Sequence, residues 1–267
     1  RDPIAIDNFV INTAAFGSGT LGIEDAGSAV FSGDVTAINL ATLTATTNAM
    51  ATFSGVISGA GTVNKTGAGT ATLAGTSANT FTNTTTVSAG VLQLNKTDGV
   101  NALVGAVTIN SGATLLVSTS NQVADDSVVT LSGGTLTRGN GVSETFGDLT
   151  LTANSFLDFG STPEDKFFKF GALTLDSYTL GVSNFLLGNK FQYTAADFAA
   201  GQALANTFSF TSSANRDCSF SGGIFTITAI PEPSAIVAAF GLLILGLWSL
   251  GRSLTSLLKF IALFHNC

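Results

Sequence analysis

A repeat of about 22 residues constrains the fold of this chain more than any other feature. Five similar segments begin with threonine and alternate apolar with small polar residues: "TVSAGVLQL", "TINSGATLL", "TLSGGTLTR", "TLTANSFLD" and "TLDSYTLGV". They start at positions 86, 108, 130, 150 and 174, so successive starts differ by 22, 22, 20 and 24. Pro163 is the only proline between Ile4 and Ile230. Such alternation is typical of many short strands.

A near-constant step favours an all-β, right-handed parallel β-helix, a solenoid with coils of about 22 residues, because each coil stacks its strands on the previous one. We expect an inward ladder formed by Val87, Ile109, Leu131, Leu151 and Leu175. The repeat glycines Gly90, Gly112 and Gly134 are expected at corners that require a positive φ. The alternative is a β-sandwich, which also alternates but has no reason to keep such a constant register.

Composition limits the function classes. Hydrophobic residues make up 45% of the 267 residues and charged residues 10%, which allows a sizeable core. Residues 1–233 carry all 17 acidic and 8 of the 10 basic residues, a net charge of −9. A nucleic-acid partner is therefore not expected.

After residue 182 the repeat fades, and we predict a cap that includes a short helix from Thr194 to Ala205.

Residues 59–94 resemble the autotransporter-associated β-strand repeat. The positions that fit its pattern are Gly59, Gly61, Lys65, Gly67, Gly69, Leu73, Asn79, Thr80, Phe81, Thr82, Thr86, Val87, Gly90 and Leu92. The resemblance implies a passenger-type parallel β-helix on a bacterial surface, without chemistry of its own.

A second signal lies in "AIPEPSAIVAAFGLLILGLWSLGRS", residues 229–253. Its apolar run over 235–250 has 16 residues, about 24 Å of helix, slightly short of a bilayer core. Pro231 and Pro233 prevent that helix from extending upstream, so the Pro-Glu-Pro is expected to be accessible. Arg252 suits the cytoplasmic boundary of a transmembrane helix.

The same segment is similar to the PEP-CTERM sorting signal of Gram-negative bacteria: Pro231, Glu232, Pro233 and Ser234, then an apolar helix, then a basic residue. The resemblance implies cleavage near the Pro-Glu-Pro by an exosortase, a membrane-embedded protease. It departs from the family after Arg252, where 15 further residues carry one lysine. Leu254, Leu257, Leu258 and Ile261 are spaced for an amphipathic helix; readthrough past the normal stop is the alternative.

These signals divide the chain into five parts. We predict N-terminal β-rich coils over 1–52, expected to be incomplete, the repeat β-helix over 53–182, a C-terminal β cap over 183–228, the sorting segment with its transmembrane helix over 229–253, and the amphipathic tail over 254–267.

Residues suited to catalysis are sparse. The single histidine is His265, and the adjacent acidic pairs are Glu24-Asp25, Asp125-Asp126 and Glu164-Asp165, each interpreted as a solvated turn. The phenylalanines at 156, 159, 167, 168 and 170 are interpreted as core or stacking residues, with a carbohydrate platform as the alternative. No catalytic residue, metal or cofactor is predicted.

The sequence therefore predicts a non-enzymatic structural or adhesin-like protein of the surface or extracellular matrix. It would be exported across the inner membrane, held briefly by one span and released by an exosortase, with extracellular polysaccharide as a further partner. The alternative is a membrane-tethered, polysaccharide-active β-helix lyase or hydrolase.

Overall fold

In a computed structural model, which describes residues 4–6, 9–11, 18–211 and 215–231, the chain winds into an all-β parallel solenoid of about eight turns. Three walls enclose the core. Two of the walls are long parallel sheets, and shorter strands form the third wall. Both long sheets run without interruption across residue 52, the predicted boundary between the first two parts of the chain.

The first wall, sheet one, has ten strands, and all their pairings are parallel. In spatial order they are β1 (Ile4–Ile6), β4 (Gly27–Phe31), β7 (Ala49–Phe53), β10 (Thr70–Gly75), β12 (Gly90–Lys96), β14 (Ala113–Val117), β16 (Thr135–Arg138), β19 (Ser155–Asp158), β22 (Leu180–Ser183) and β24 (Ser209–Phe210).

The second wall, sheet two, has eight strands, also parallel throughout. They are β3 (Ser18–Ile23), β6 (Leu40–Ala45), β9 (Thr62–Thr66), β11 (Thr85–Val87), β13 (Val107–Asn110), β15 (Val129–Ser132), β18 (Leu149–Ala153) and β21 (Leu173–Thr174).

The third wall contains two shorter groups of strands. Near the N-terminus, β2 (Phe9–Ile11), β5 (Val35–Ala37) and β8 (Ile57–Ser58) pair in parallel. Toward the C-terminus, the five-stranded group is β17 (Glu144–Thr145), β20 (Phe167–Phe170), β23 (Lys190–Thr194), β26 (Ile224–Ile230) and β25 (Asn215–Ser221). Its last two pairings are antiparallel.

That antiparallel hairpin and one helix form the C-terminal cap. The helix, α1 (Phe198–Ala205), begins later than predicted: Thr194 ends β23, and the helix cap is Asp197, whose carboxylate accepts a hydrogen bond from the backbone N–H of Ala200 at 2.8 Å. Gly201 is buried in α1, where an added Cβ would lie 2.2 Å from the Phe225 ring. The glycine that weakens the helical pattern is what lets α1 pack on the hairpin.

Candidate functional site

The predicted inward ladder is present in sheet two. Val87 pairs with Ile109, Ile109 with Leu131 and Leu131 with Leu151, and these side chains are fully buried. Leu175 continues the ladder one residue beyond β21 and is also buried. The spacing between the repeated segments in the sequence is therefore the register of this wall.

The corner glycines depart from prediction at one position. Gly90 and Gly112 adopt φ angles of 63° and 74°, whereas at the third corner Gly133, with φ 88°, takes the positive φ expected of Gly134. Leu115 pairs with Leu136 in sheet one, while Ile109 pairs with Leu131 in sheet two, so the step between these coils is one residue shorter in sheet one. The corner has lost one residue, and the positive φ moves back by one.

Gly134 is required for a different reason. A Cβ added to it would lie 2.4 Å from Cγ2 of Ile109 and 2.7 Å from the carbonyl oxygen of Asn110. Gly134 thus allows two coils to approach closely, whereas a Cβ on Gly112 would meet no atom within 4 Å. The three repeat glycines lie on successive corners but do not share one role.

Lys65 occupies an unexpected position in the inward ladder. It pairs with Leu43 and Val87, whose side chains face the core, and its own side chain is fully buried. Its Nζ donates hydrogen bonds to the carbonyl oxygens of Thr66 and Gly67, both at 2.8 Å, and of Ala89 at 3.0 Å. Burial lowers the pKa of Lys65 to about 8. The lysine of the repeat pattern therefore ties two successive corners together.

Polar side chains form a ladder along the third wall. Asn79 accepts a hydrogen bond from the N–H of Ile57 and donates one to the carbonyl of Ala102, both at 2.8 Å. In later coils, Gln122 accepts from the N–H of Lys96, and Glu144 accepts from the N–H groups of Gln122 and Val123. These side chains supply the hydrogen bonds where this wall has no regular strand.

Glu144 is fully buried within that ladder. Burial raises the pKa of its carboxyl to about 7, although hydrogen bonds from the N–H groups of Gln122 and Val123 oppose the shift. No sequence motif identified Glu144: it lies one repeat step of 22 residues after Gln122, but the polar side chains of this ladder differ from coil to coil.

A second polar cluster surrounds Arg138, whose side chain is also fully buried. Its Nη1 donates to the carbonyl of Val142 at 2.9 Å and to Oε1 of Glu164 at 2.7 Å. Its Nη2 donates to the carbonyl of Phe159 at 2.6 Å and to Oδ1 of Asn189 at 2.7 Å. The guanidinium therefore joins segments up to 51 residues apart in the chain.

The predicted acidic pairs differ in their surroundings. The pairs at 24–25 and 125–126 are exposed between strands, as expected of solvated turns. Glu164 pairs with Arg138, and Asp165 pairs with Lys190. Among the residues that the structure describes, no three His, Cys, Asp or Glu side chains are grouped to hold a metal ion.

The phenylalanines divide between core and surface. Phe159, Phe168 and Phe170 are buried in the core, and Phe167 is half-buried. Phe156 has an exposed fraction of 49% on the outer side of sheet one, where its ring covers Gly181.

The sorting segment starts at the end of the cap. Ala229 and Ile230 belong to β26, and exposed Pro231 follows directly. Glu232, Pro233, Ser234 and Arg252 lie outside the described residues, as do the predicted transmembrane helix over 235–250 and the tail over 254–267. Among the described residues no helix is long and apolar enough to cross a membrane, and α1 has eight residues.

Comparison with known proteins supports the repeat. The family model of the passenger-associated-transport-repeat matches residues 63–94, inside the segment identified from its glycines, Lys65 and Asn79. No curated protein and no solved structure matches the chain. The matched repeat and the parallel solenoid together indicate an exported, passenger-like surface protein.

Proposed function

We propose that this chain is a non-enzymatic structural or adhesive protein of the bacterial surface or extracellular matrix. The observation that carries the proposal is the match of residues 63–94 to a transport-associated passenger repeat, placed within a continuous parallel solenoid. A solenoid of stacked coils offers long, flat walls suited to contact with extended partners.

The placement of the acidic residues supports a non-enzymatic role. General acid–base catalysis on polysaccharides requires carboxylates that converge on one substrate. Here Glu164 and Asp165 are each engaged by a basic residue, Glu144 is buried among backbone N–H groups, and the two remaining pairs lie in separate exposed turns.

We further propose that an exosortase releases the protein by cutting near Pro231, Glu232 and Pro233. The position of Pro231 supports this step, because it is exposed and directly follows β26, the last strand of the cap. Cleavage there would free the whole solenoid without breaking a strand.

The sorting proposal is tested by expressing the full chain in a Gram-negative host with and without a co-expressed exosortase. We expect mass spectrometry of the extracellular protein to find a new C-terminus near residue 231 only when the protease is present. Glu232→Ala should leave the protein in the membrane fraction, while Glu24→Ala, at an exposed acid of the solenoid, should not. An intact C-terminus on the extracellular protein would contradict this sorting route.

Extracellular polysaccharide is the partner we propose for the released protein. Exposed Phe156 on sheet one and exposed Tyr178, two residues before β22, provide rings on which sugars stack. Co-sedimentation with polysaccharide purified from the producing culture should be weakened by Phe156→Ser and left intact by Phe198→Ser, at an exposed ring on α1. Equal co-sedimentation of both variants and the parent would argue against this binding surface.

A further inference from the structure

The outer side of sheet two carries a row of threonines with one residue from every strand. Neighbouring members pair in register along the whole sheet. The row consists of Thr20, Thr42, Asn64, Thr86, Thr108, Thr130, Thr150 and Thr174. Seven of its eight positions are therefore threonine, and each is exposed or half-buried.

A second, shorter row lies two residues further along in five successive coils, with Ser88 directly after β11. It contains Thr44, Thr66, Ser88, Asn110 and Ser132. Side chains two apart on a strand point to the same face, so both rows face outward. We call these two rows the threonine face.

Backbone geometry fixes the spacing of the threonine face. Strands in a sheet lie about 4.8 Å apart, and residues two apart on a strand lie about 6.6 Å apart. Eight strands therefore extend the first row over about 34 Å. Threonine is stiff at χ1 because it is branched at Cβ, so its hydroxyl and methyl groups share this regularity.

The hydroxyls of the first row are available to solvent. Among the described residues, none of its seven threonine Oγ1 atoms has a hydrogen-bond partner in the protein, whereas Asn64 accepts a bond from Ser88 at 2.7 Å. These groups must be satisfied by water, and a fixed array of donors and acceptors holds water at fixed positions.

Charge is absent from this face although the chain is acidic. The eight strands of sheet two contain one charged residue, Lys65, and it is buried on the inner side. Asp148, just before β18, is held by the N–H of Ala172 at 2.8 Å. A neutral array favours a neutral, ordered surface over a charged partner.

Sheet one provides the internal contrast. Its outward positions carry threonines at 52, 70, 114, 135 and 137, but these alternate with Met50, Val91, Leu116, Phe156 and Asp158. A row with threonine on seven of eight successive strands is therefore found on sheet two, whereas the rows of sheet one are interrupted by larger or charged side chains.

We propose that the threonine face binds the surface of ice. Oxygen atoms on the prism faces of hexagonal ice repeat on a rectangular grid of spacing comparable to that of the two rows, so water held by the hydroxyls would join the crystal lattice. The face is rigid before contact, so little side-chain entropy is lost on binding. This activity goes beyond the proposed surface role and does not depend on sorting.

The test measures thermal hysteresis and ice-crystal shape with the purified full chain. Thr108→Lys and Thr130→Lys, alone and together, place a long charged side chain at the centre of the face. Thr114→Lys and Thr135→Lys are matched controls, since these half-buried threonines are paired neighbours on sheet one. Circular dichroism melting checks that every variant is folded.

We expect the parent chain to shape ice crystals and to show thermal hysteresis. Thr108→Lys should reduce the hysteresis several-fold and the double variant should abolish it, while both sheet-one controls keep the parent value. Absence of hysteresis and crystal shaping in the folded parent would overturn the proposal, as would equal losses in both sets of variants. A dimer that sedimentation detects and that Thr108→Lys dissociates would also overturn it, because a second copy would then cover the face.

Discussion

The core is packed differently in two regions of the solenoid: the repeat coils, residues 35–136, and the C-terminal coils, residues 142–230. The interior of the repeat coils is mostly alanine, valine and leucine, stacked at the same level in successive turns. Beyond residue 145 the core becomes aromatic, and 14 of the 15 ring pairs among the described residues include a ring from that region. Mostly aliphatic side chains thus fill the core of the repeat coils, and mostly aromatic ones fill it toward the cap.

The polar groups follow the same division. In the repeat coils, Asn79 and Gln122 bond the backbone of adjacent coils and so continue the ladder. At the start of the C-terminal coils, the Arg138 guanidinium donates hydrogen bonds to the carbonyls of Val142 and Phe159. It also donates to the side chains of Glu164 and Asn189. The polar ladder joins each coil to the next, whereas the Arg138 cluster joins several segments of the C-terminal coils at one point.

The largest expected effect comes from removing a ring at the centre of the aromatic core. Phe191 is fully buried and its ring lies 5.2 to 6.2 Å from those of Phe159, Phe170, Tyr193 and Phe208. Phe191→Ala should lower the free energy of unfolding by about 3–5 kcal/mol. Hydrogen exchange should show lost protection in β20, β23 and β26 before the repeat coils, because stacked coils couple mainly to their neighbours.

Leu115→Ala provides the matched measurement in the repeat coils, where Leu115 is equally buried. We expect a loss of about 2–5 kcal/mol, spread over the coils on both sides. If both variants lose protection first at the same end of the solenoid, the cap is not a separate unit of stability.

Removal of the buried guanidinium is the next largest effect. Arg138→Met leaves Asn189 and the carbonyls of Val142 and Phe159 without their donor, so we expect about 3–5 kcal/mol of destabilisation in urea unfolding. Lys190→Met removes the solvent-exposed ion pair with Asp165 and should cost under about 1 kcal/mol. Equal losses would show that Arg138 acts as an ordinary surface cation.

The corner glycines give a smaller and more local difference. Gly112→Ala adds a Cβ in open space at φ 74°, with an expected cost of about 1–3 kcal/mol from the left-handed backbone alone. Gly134→Ala places a Cβ 2.4 Å from Ile109, so the coils must move apart, and thermal melting should show the larger loss. A smaller loss at Gly134 than at Gly112 would contradict the close approach.

The sequence predicted the register of sheet two because alternation and a fixed step are both visible along a chain. It missed the earlier copies of this register at positions 20, 42 and 64. At the third of these, Lys65 takes the place of an apolar residue in the ladder and breaks the pattern. The third corner glycine was misplaced by one position, because the step between coils is one residue shorter in sheet one than in sheet two.

The Arg138 cluster had no sequence signal, since Asn189 is 51 residues away and no period relates them. The threonine face was present in the sequence as the first residue of each repeat. Only the common register of eight strands shows that these threonines form one surface.

The last comparison concerns Glu144, near the junction of the two regions, and tests the dependence of stability on pH. The pKa of its carboxyl is about 7 in the fold against about 4.5 when exposed, because burial disfavours the charge. Between these pH values the folded state holds a proton that the unfolded state has released. The free energy of unfolding should therefore fall as pH rises from 4.5 to 7, and level off above 7.

Glu144→Gln removes this titration and keeps an oxygen that accepts from one of the two N–H groups of Gln122 and Val123. Its melting temperature should be lower at acidic pH, since the other N–H group loses its acceptor, but it should not fall further between pH 5 and 8. Glu24→Gln, at an exposed turn, should keep the parent's slope. The measurement is the slope of melting temperature against pH. If this slope persists in Glu144→Gln, another group causes it, and Glu144 does not couple the stability of the polar ladder to pH.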